Sequence, residues 1–124
     1  MNKSNLWSLS ATELRHAYMK RTLSPVEVLE SYLGRITTLN PKVNAFYLLM
    51  EEKALLSAKK SEERWLKASP LGLLDGIPTA IKDGLFMSGI PIYRGSLANN
   101  AKSNIPTTNA PGVDRMICSG AIIL

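Results

Sequence analysis

Lys82 closes a short apolar run in "GLLDGIPTAIKDG", Gly72 to Gly84, where glycines and a proline bracket the segment Ile77 to Ile81. A lysine at that point has two readings. Its stem can lie along apolar surface while the ammonium reaches water or pairs with the adjacent Asp83. Alternatively, a lysine partly removed from water becomes neutral near pH 7 and can accept a proton, which makes it a general base. A downward displacement of three pKa units corresponds to about 4 kcal/mol, a large share of the ~5–15 kcal/mol that stabilises a typical domain. Such a base is easier to hold in a scaffold larger than 124 residues.

Few other residues suggest chemistry. The single cysteine, Cys118, cannot form an internal disulfide, and the single histidine, His16, cannot build a metal cluster with it at any recognised spacing. No cofactor and no metal are expected, and His16 is read as a surface or interhelical residue of the first helix.

The net charge of +5 raises the question of nucleic acid. Like-charged basic residues never run beyond two (Lys20-Arg21, Lys59-Lys60), and the acidic pairs Glu51-Glu52 and Glu62-Glu63 lie among them, so a solvated surface of mixed charge is expected. The first twenty residues carry Lys3, Glu13, Arg15, His16 and Lys20 without a long apolar run, which argues against a secretory signal or membrane anchor and for a cytoplasmic location. With 45% apolar and 20% charged residues, a packed core is expected.

The elements that would position Lys82 are announced by local signals. Ser10 and Glu13 in "LSATEL" have the spacing of a capping box, with Leu9 and Leu14 as its hydrophobic staple. "LSPVEV" repeats the pattern with Ser24, Glu27, Leu23 and Val28, and adds Pro25 at the first helical position. The second helix carries Val28, Leu29, Tyr32, Leu33 and Ile36 on one face and should stop near Asn40-Pro41. "NAFYLL", Asn44 to Leu49, reads as a short apolar strand, with a buried helical turn as the alternative. A third helix over residues 51–68 places Leu55, Ala58, Trp65 and Leu66 on a stripe.

After Ser69-Pro70 the texture changes from charged helices to Gly/Pro punctuation around short apolar segments. Ile77 to Ile81 reads as a strand, residues 84–107 as a loop, and residues 109–119 as a helix with Val113, Met116 and Ile117 at helical spacing. Gly120 supplies a stop, and "AIIL" begins another strand. Strand, crossover, helix, strand is the order of a parallel sheet. The expected fold class is therefore α/β: N-terminal helices followed by the start of a mixed, largely parallel sheet. Residues 1–68 would form a helical region and residues 69–124 the start of an α/β core. Because the last four residues are the apolar opening of an inner strand, the chain is expected to be incomplete.

"LLDGIPTAIKD", Leu73 to Asp83, resembles the L-x-G-I-P-x-x-I-K-D segment of the amidase signature family. "SGIPIYRGS" resembles the loop that follows it, and "TNAPGVDRMICSGAIIL" is similar to the family's D-A-P-x-V-x-R-L…A-G-A-I-I-x segment. The helical motifs upstream and "NPKVNAF" are compatible with its N-terminus. The resemblance implies an amide hydrolase with a Ser, cis-Ser, Lys arrangement, in which Lys82 matches the catalytic lysine. A neutral lysine there takes a proton relayed through a bridging serine, the nucleophilic serine attacks an amide carbonyl, and backbone N–H groups hold the oxyanion.

The resemblance places both catalytic serines beyond Leu124, so the chain alone is expected to be inactive and poorly stable, with unpaired strand edges. Ser96, in "YRGS", is read as a loop serine rather than a nucleophile. Asn109, Met116 and Ile92 depart from the family's usual Asp, Leu and Thr; Asn109 should still cap a helix. The substrate implied is a small-molecule amide, with small or aromatic amides preferred over the glutaminase role of a tRNA-dependent amidotransferase. No nucleic-acid or membrane partner is implied, and a homodimer stays open. The competing expectation is a non-catalytic helical module that uses the apolar faces of its first two helices to bind a partner.

Overall fold

Two serines set the first helix starts. In the computed structural model, which describes residues 3–99 and 104–124, Ser10 accepts the Glu13 N–H while the Glu13 carboxylate accepts the Ser10 N–H, opening α1 (Ala11–Met19). Ser24 and Glu27 repeat the reciprocal pair ahead of α2 (Pro25–Val43), where Pro25 occupies a first-turn position that needs no backbone donor. The flanking residues Leu14, Leu23 and Val28 are buried in one apolar cluster, with Leu9 packed against it. A 3-10 segment, Lys3–Ser8, precedes α1 and lies against α2. There the Arg35 guanidinium stands 3.5 Å above the Trp7 ring, a cation–π contact.

α2 runs past the expected stop at Asn40-Pro41 and ends at Val43. Pro41 in the last turn removes one helical donor, and Asn44 then closes the helix in a left-handed conformation (φ 49°), its N–H reaching the Asn40 carbonyl. The next segment corrects a second expectation: residues 44–49 form no strand. The Asn40 side chain donates to the Phe46 carbonyl and accepts the Phe46 N–H, both at 2.8 Å, so an amide side chain takes the place of a strand partner.

α3 (Glu51–Leu66) buries Ala54, Ala58, Ser61 and Trp65, four residues on one helical face. Three of them are small, so α2 can approach closely. Leu55 is only partly buried and Leu66 is 57% exposed, which moves the packed stripe away from the Leu55/Leu66 line. α2 divides the apolar interior: Val28 joins Tyr18, Trp65 and Ile77 on one side, while Leu29 and Leu33 join Ala54, Ala58, Ile122 and Leu124 on the other.

The sheet is parallel, as the order of elements predicts. β1 (Pro78–Thr79) and β2 (Ile122–Ile123) pair in the register Pro78↔Ile122 and Thr79↔Ile123. Ile122 N–H donates to the Ile77 carbonyl and Leu124 N–H to the Thr79 carbonyl. β1 is shorter than the expected Ile77 to Ile81, because residues 80–82 continue without a ladder partner among the described residues.

α4 (Pro111–Cys118) follows the expected loop, of which residues 100–103 lie outside the described residues. Ala110, not Asn109, stands at its N-cap. Asn109 instead accepts the Ser88 N–H through Oδ1 and donates to Asp114 through Nδ2, so its side chain ties the preceding loop to the helix. Gly120 ends α4 at φ +87° with its N–H on the Ile117 carbonyl and the Ala121 N–H on the Met116 carbonyl, the two bonds of a Schellman motif. No described helix is long and apolar enough to cross a membrane.

Asp75, the acid between Leu74 and Gly76, is 1% exposed. Its carboxylate accepts Ser61 Oγ (2.7 Å), Arg64 Nε (2.8 Å) and Nη2 (2.7 Å), and the Leu71 N–H (2.8 Å). Its carbonyl accepts the Trp65 indole N–H. Burial alone pushes the carboxyl pKa up, but the bonds from Arg64, Ser61 and Leu71 outweigh it and leave the pKa below its ordinary value. The next residue is equally constrained. The Tyr18 hydroxyl donates to the Gly76 carbonyl at 2.9 Å, and the Gly76 N–H donates to the Gly120 carbonyl at 3.1 Å.

A side chain at Gly120 would place its Cβ 2.8 Å from the Cα, Cβ and Cγ of Asp75 at a positive φ. Gly120→Ala should therefore cost about 2–4 kcal/mol, read as a lower urea midpoint. Asp75→Ala should cost about 3 kcal/mol, because it strands buried donors while Arg64 keeps partial access to water. Since the folded carboxyl pKa lies below the unfolded value of about 3.9, the contribution of Asp75 is complete above that value and is lost as pH falls through the lowered one. Melting temperature measured across that acid range should fall less steeply in Asp75→Asn than in the parent.

Candidate active site

β1 delivers Lys82 to an open edge. Immediately after it the chain reverses: the Leu85 N–H donates to the Lys82 carbonyl at 3.0 Å, with Gly84 at φ +146°. The Lys82 side chain is exposed. It lines a cavity of about 1050 Å³ whose other walls are the 44–50 connector, the 90–95 loop and the end of β2 at Ile123 and Leu124. Among the described residues, Lys82 Nζ makes no hydrogen bond or ion pair.

Asp83, the partner that simple adjacency suggests for Lys82, turns to the loop instead. Its Oδ1 accepts the Tyr93 N–H at 2.9 Å and its Oδ2 accepts the Gly95 N–H at 3.2 Å. The little burial it has pushes its pKa up, but the N–H groups of Tyr93, Arg94 and Gly95, with the Arg94 charge nearby, outweigh this and hold it below the ordinary value.

An aromatic pair closes one side. The rings of Tyr47 and Tyr93 meet edge to face, centroids 5.4 Å apart and planes at 83°, a favoured aromatic geometry. The Tyr47 hydroxyl donates to the Pro91 carbonyl at 2.8 Å. Burial, together with the charge of Asp83 and the neighbouring Tyr93, raises the Tyr47 phenol pKa. Ile92 is buried at 2% exposure, and its backbone is bound on both sides: its N–H reaches the Asn104 carbonyl and its carbonyl accepts Asn104 Nδ2. Ser96 is exposed, and its Oγ accepts the Ala98 N–H at 3.2 Å within its own turn.

His16 is exposed on α1 and Cys118 is exposed on α4. Among the described residues, no group of three or more His, Cys, Asp or Glu side chains converges on a point that could hold a metal ion.

With the helical layer, the parallel β1–β2 pair and the lysine at the β1 exit, the chain has the fold of the N-terminal part of an amidase signature enzyme. Residues 27–124 match the amidase family, and the chain belongs to that family. It is 33% identical over 122 residues to indoleacetamide hydrolase of Bradyrhizobium diazoefficiens, covering 98% of this chain and 23% of that protein. It is 38% identical over 119 residues to the A-subunit of glutamyl-tRNA(Gln) amidotransferase from Thermoanaerobacter pseudethanolicus, covering 96% of this chain and 24% of that protein. Among solved structures, the native peptide amidase of Stenotrophomonas maltophilia superposes with a TM-score of 0.84 at 25% identity, over 98% of this chain and 25% of that one. A fatty acid amide hydrolase superposes with a TM-score of 0.88 at 23% identity, over 99% of this chain and 22% of that one, a likeness of fold alone. The chain thus spans about a quarter of the length of these relatives.

The structure brings Lys82 to the cavity, and it adds residues that sequence reasoning missed. Asp75 with Ser61 and Arg64 was legible only as an acid inside an apolar run that had to find partners once buried. Tyr47 was hidden inside a segment read as a strand. Nothing local marks its pairing with Tyr93, which lies 46 positions away.

Tyr47→Phe should keep the ring contact and lose the bond to Pro91, a cost of about 1 kcal/mol. Tyr47→Ala loses both and should release the 90–95 loop. Limited trypsin digestion at the exposed Arg94 should therefore be fastest in Tyr47→Ala, intermediate in Tyr47→Phe and slowest in the parent.

Proposed function

We propose that this chain supplies the N-terminal part of an amidase that hydrolyses a carboxylic amide to the acid and ammonia, with Lys82 as its base. The observation that carries the reading is the position of Lys82: exposed on the cavity wall three residues beyond β1, with the neighbouring carboxylate of Asp83 engaged by the loop. Membership of the amidase family supports it.

In the proposed reaction, neutral Lys82 accepts a proton through a bridging serine. The nucleophilic serine, relieved of that proton, adds to the amide carbonyl. Collapse of the tetrahedral intermediate breaks the C–N bond, the proton leaves with ammonia, and water then cleaves the acyl-serine to the acid. Both serines belong to a segment following residue 124, in a cytoplasmic enzyme. The reading prefers small or aromatic amides, supported by the Tyr47–Tyr93 pair on the cavity wall and by the indoleacetamide hydrolase relative. The glutaminase component of a tRNA-dependent amidotransferase is the second reading, supported by the 38% identity to the amidotransferase relative.

The complete protein from the native gene should release ammonia from primary amides, and Lys82→Ala should lower that rate by a factor of about 10³ or more. Lys82→Arg should fail equally, because a guanidinium stays protonated and cannot act as a base. Retained turnover in either variant would remove Lys82 from the chemistry. Ammonia release from indole-3-acetamide but not from glutamine would favour the stand-alone amidase over the glutaminase component.

A further inference from the structure

Asp83 follows Lys82 directly, yet its carboxylate does not face the lysine. Two successive turn residues, Arg94 (φ 51°) and Gly95 (φ 66°), are left-handed. Consecutive N–H groups in such a turn point inward and form a concavity suited to an anion. Here the anion is Asp83: Tyr93 N–H reaches Oδ1 and Gly95 N–H reaches Oδ2. Arg94 adopts a backbone that its Cβ disfavours, and such a conformation persists only where surrounding bonds hold it.

The same loop carries Tyr93, which packs against Tyr47 on the cavity wall, and Pro91, whose carbonyl takes the Tyr47 hydroxyl. The turn closed by Leu85 N–H on the Lys82 carbonyl fixes Asp83 relative to the strand end. One carboxylate thus joins the segment bearing the lysine to the segment bearing the aromatic wall.

We propose that Asp83 is a positioning residue: by filling the N–H concavity of residues 93–95 it holds the Tyr93 wall at a set distance from Lys82, and so governs substrate binding rather than proton transfer. The proposal rests on the amide-hydrolase reading for its kinetic consequence, while the tie itself is a property of the loop. Asn at position 83 keeps the shape but replaces one acceptor oxygen with an NH2 donor, so it cannot serve the same set of N–H groups. Glu keeps the charge on a longer stem.

The test uses the complete native gene product as wild type, Asp83→Asn, Asp83→Glu and Lys82→Ala. Hydrogen exchange of the backbone amides of residues 93–95 is followed alongside ammonia release from phenylacetamide. Asp83→Asn should speed exchange at those amides about tenfold or more, as expected for loss of charge-assisted bonds, and should raise KM by a similar factor. Its kcat should stay within about twofold of wild type with the acidic limb of the pH profile in place, since the base is untouched. Asp83→Glu should recover part of the protection and part of the KM, which separates loss of the tie from general loss of folding. Unchanged exchange at residues 93–95 in Asp83→Asn would overturn the proposal, as would a fall in kcat at constant KM or a displaced acidic limb. Exchange is read whether or not phenylacetamide is turned over. Activity that survives Lys82→Ala removes Lys82 as the base and leaves the exchange result to decide the loop tie.

Discussion

A buried carboxylate governs how the approach to β1 meets the helical layer. Asp75 is removed from water, and an ionised acid in that position is tolerable only if nearly all of its lone pairs are occupied. Ser61 and Arg64, one turn apart on α3, and the Leu71 N–H occupy them. The consequence is geometric. The turn over residues 71–76 has to lie against α3 in one orientation, and β1 leaves that turn in a direction it does not choose for itself. The short β1–β2 ladder inherits its alignment from this clamp as much as from its own two-residue register.

Packing at the glycines converts that alignment into a tolerance of tenths of an ångström. Gly76 and Gly120 face each other through one backbone hydrogen bond, both at positive φ, and each has heavy atoms within about 3 Å of where a Cβ would stand. The Tyr18 hydroxyl reaches into the same point to bind the Gly76 carbonyl, so α1 joins β1 and the end of α4 there. Three segments that share no local sequence signal are thereby fixed relative to one another, and the segment that runs through β1 to Lys82 departs from their junction.

The parts legible in the sequence were those whose physics is contained within a few residues. Both capping boxes, the Gly120 stop and the apolar face of α2 depend on spacing alone, and the structure reproduces them. Where a distant or side-chain partner decides, local reading fails. Asn40 satisfies Phe46 and so abolishes a strand that the short apolar run suggested. Asn109, a plausible cap by type, spends its amide on Ser88 and Asp114 and leaves the cap position to Ala110. At the candidate site, Lys82 was visible because its motif is contiguous. The Tyr47–Tyr93 wall and the Asp83 tie were not, because each is made by residues ten or more positions apart.

The proposed chemistry sets one further requirement on the surroundings of Lys82. A lysine serves as a base only when its neutral form is made accessible, and removal from water is the usual means. In residues 1–124 the Lys82 side chain is exposed and the cavity beside it is broad and open, walled by Leu48, Leu85, Ile123 and Leu124 among others. Apolar surface of that kind gains by being covered. Under the proposed function, one covering event would do two things at once: bury these side chains, and withdraw water from the lysine in the same step that brings the serines to it. The bonds of Asp75 hold the chain before β1 and those of Asp83 hold it just after Lys82, so the segment between them keeps one shape whether or not the cavity is covered.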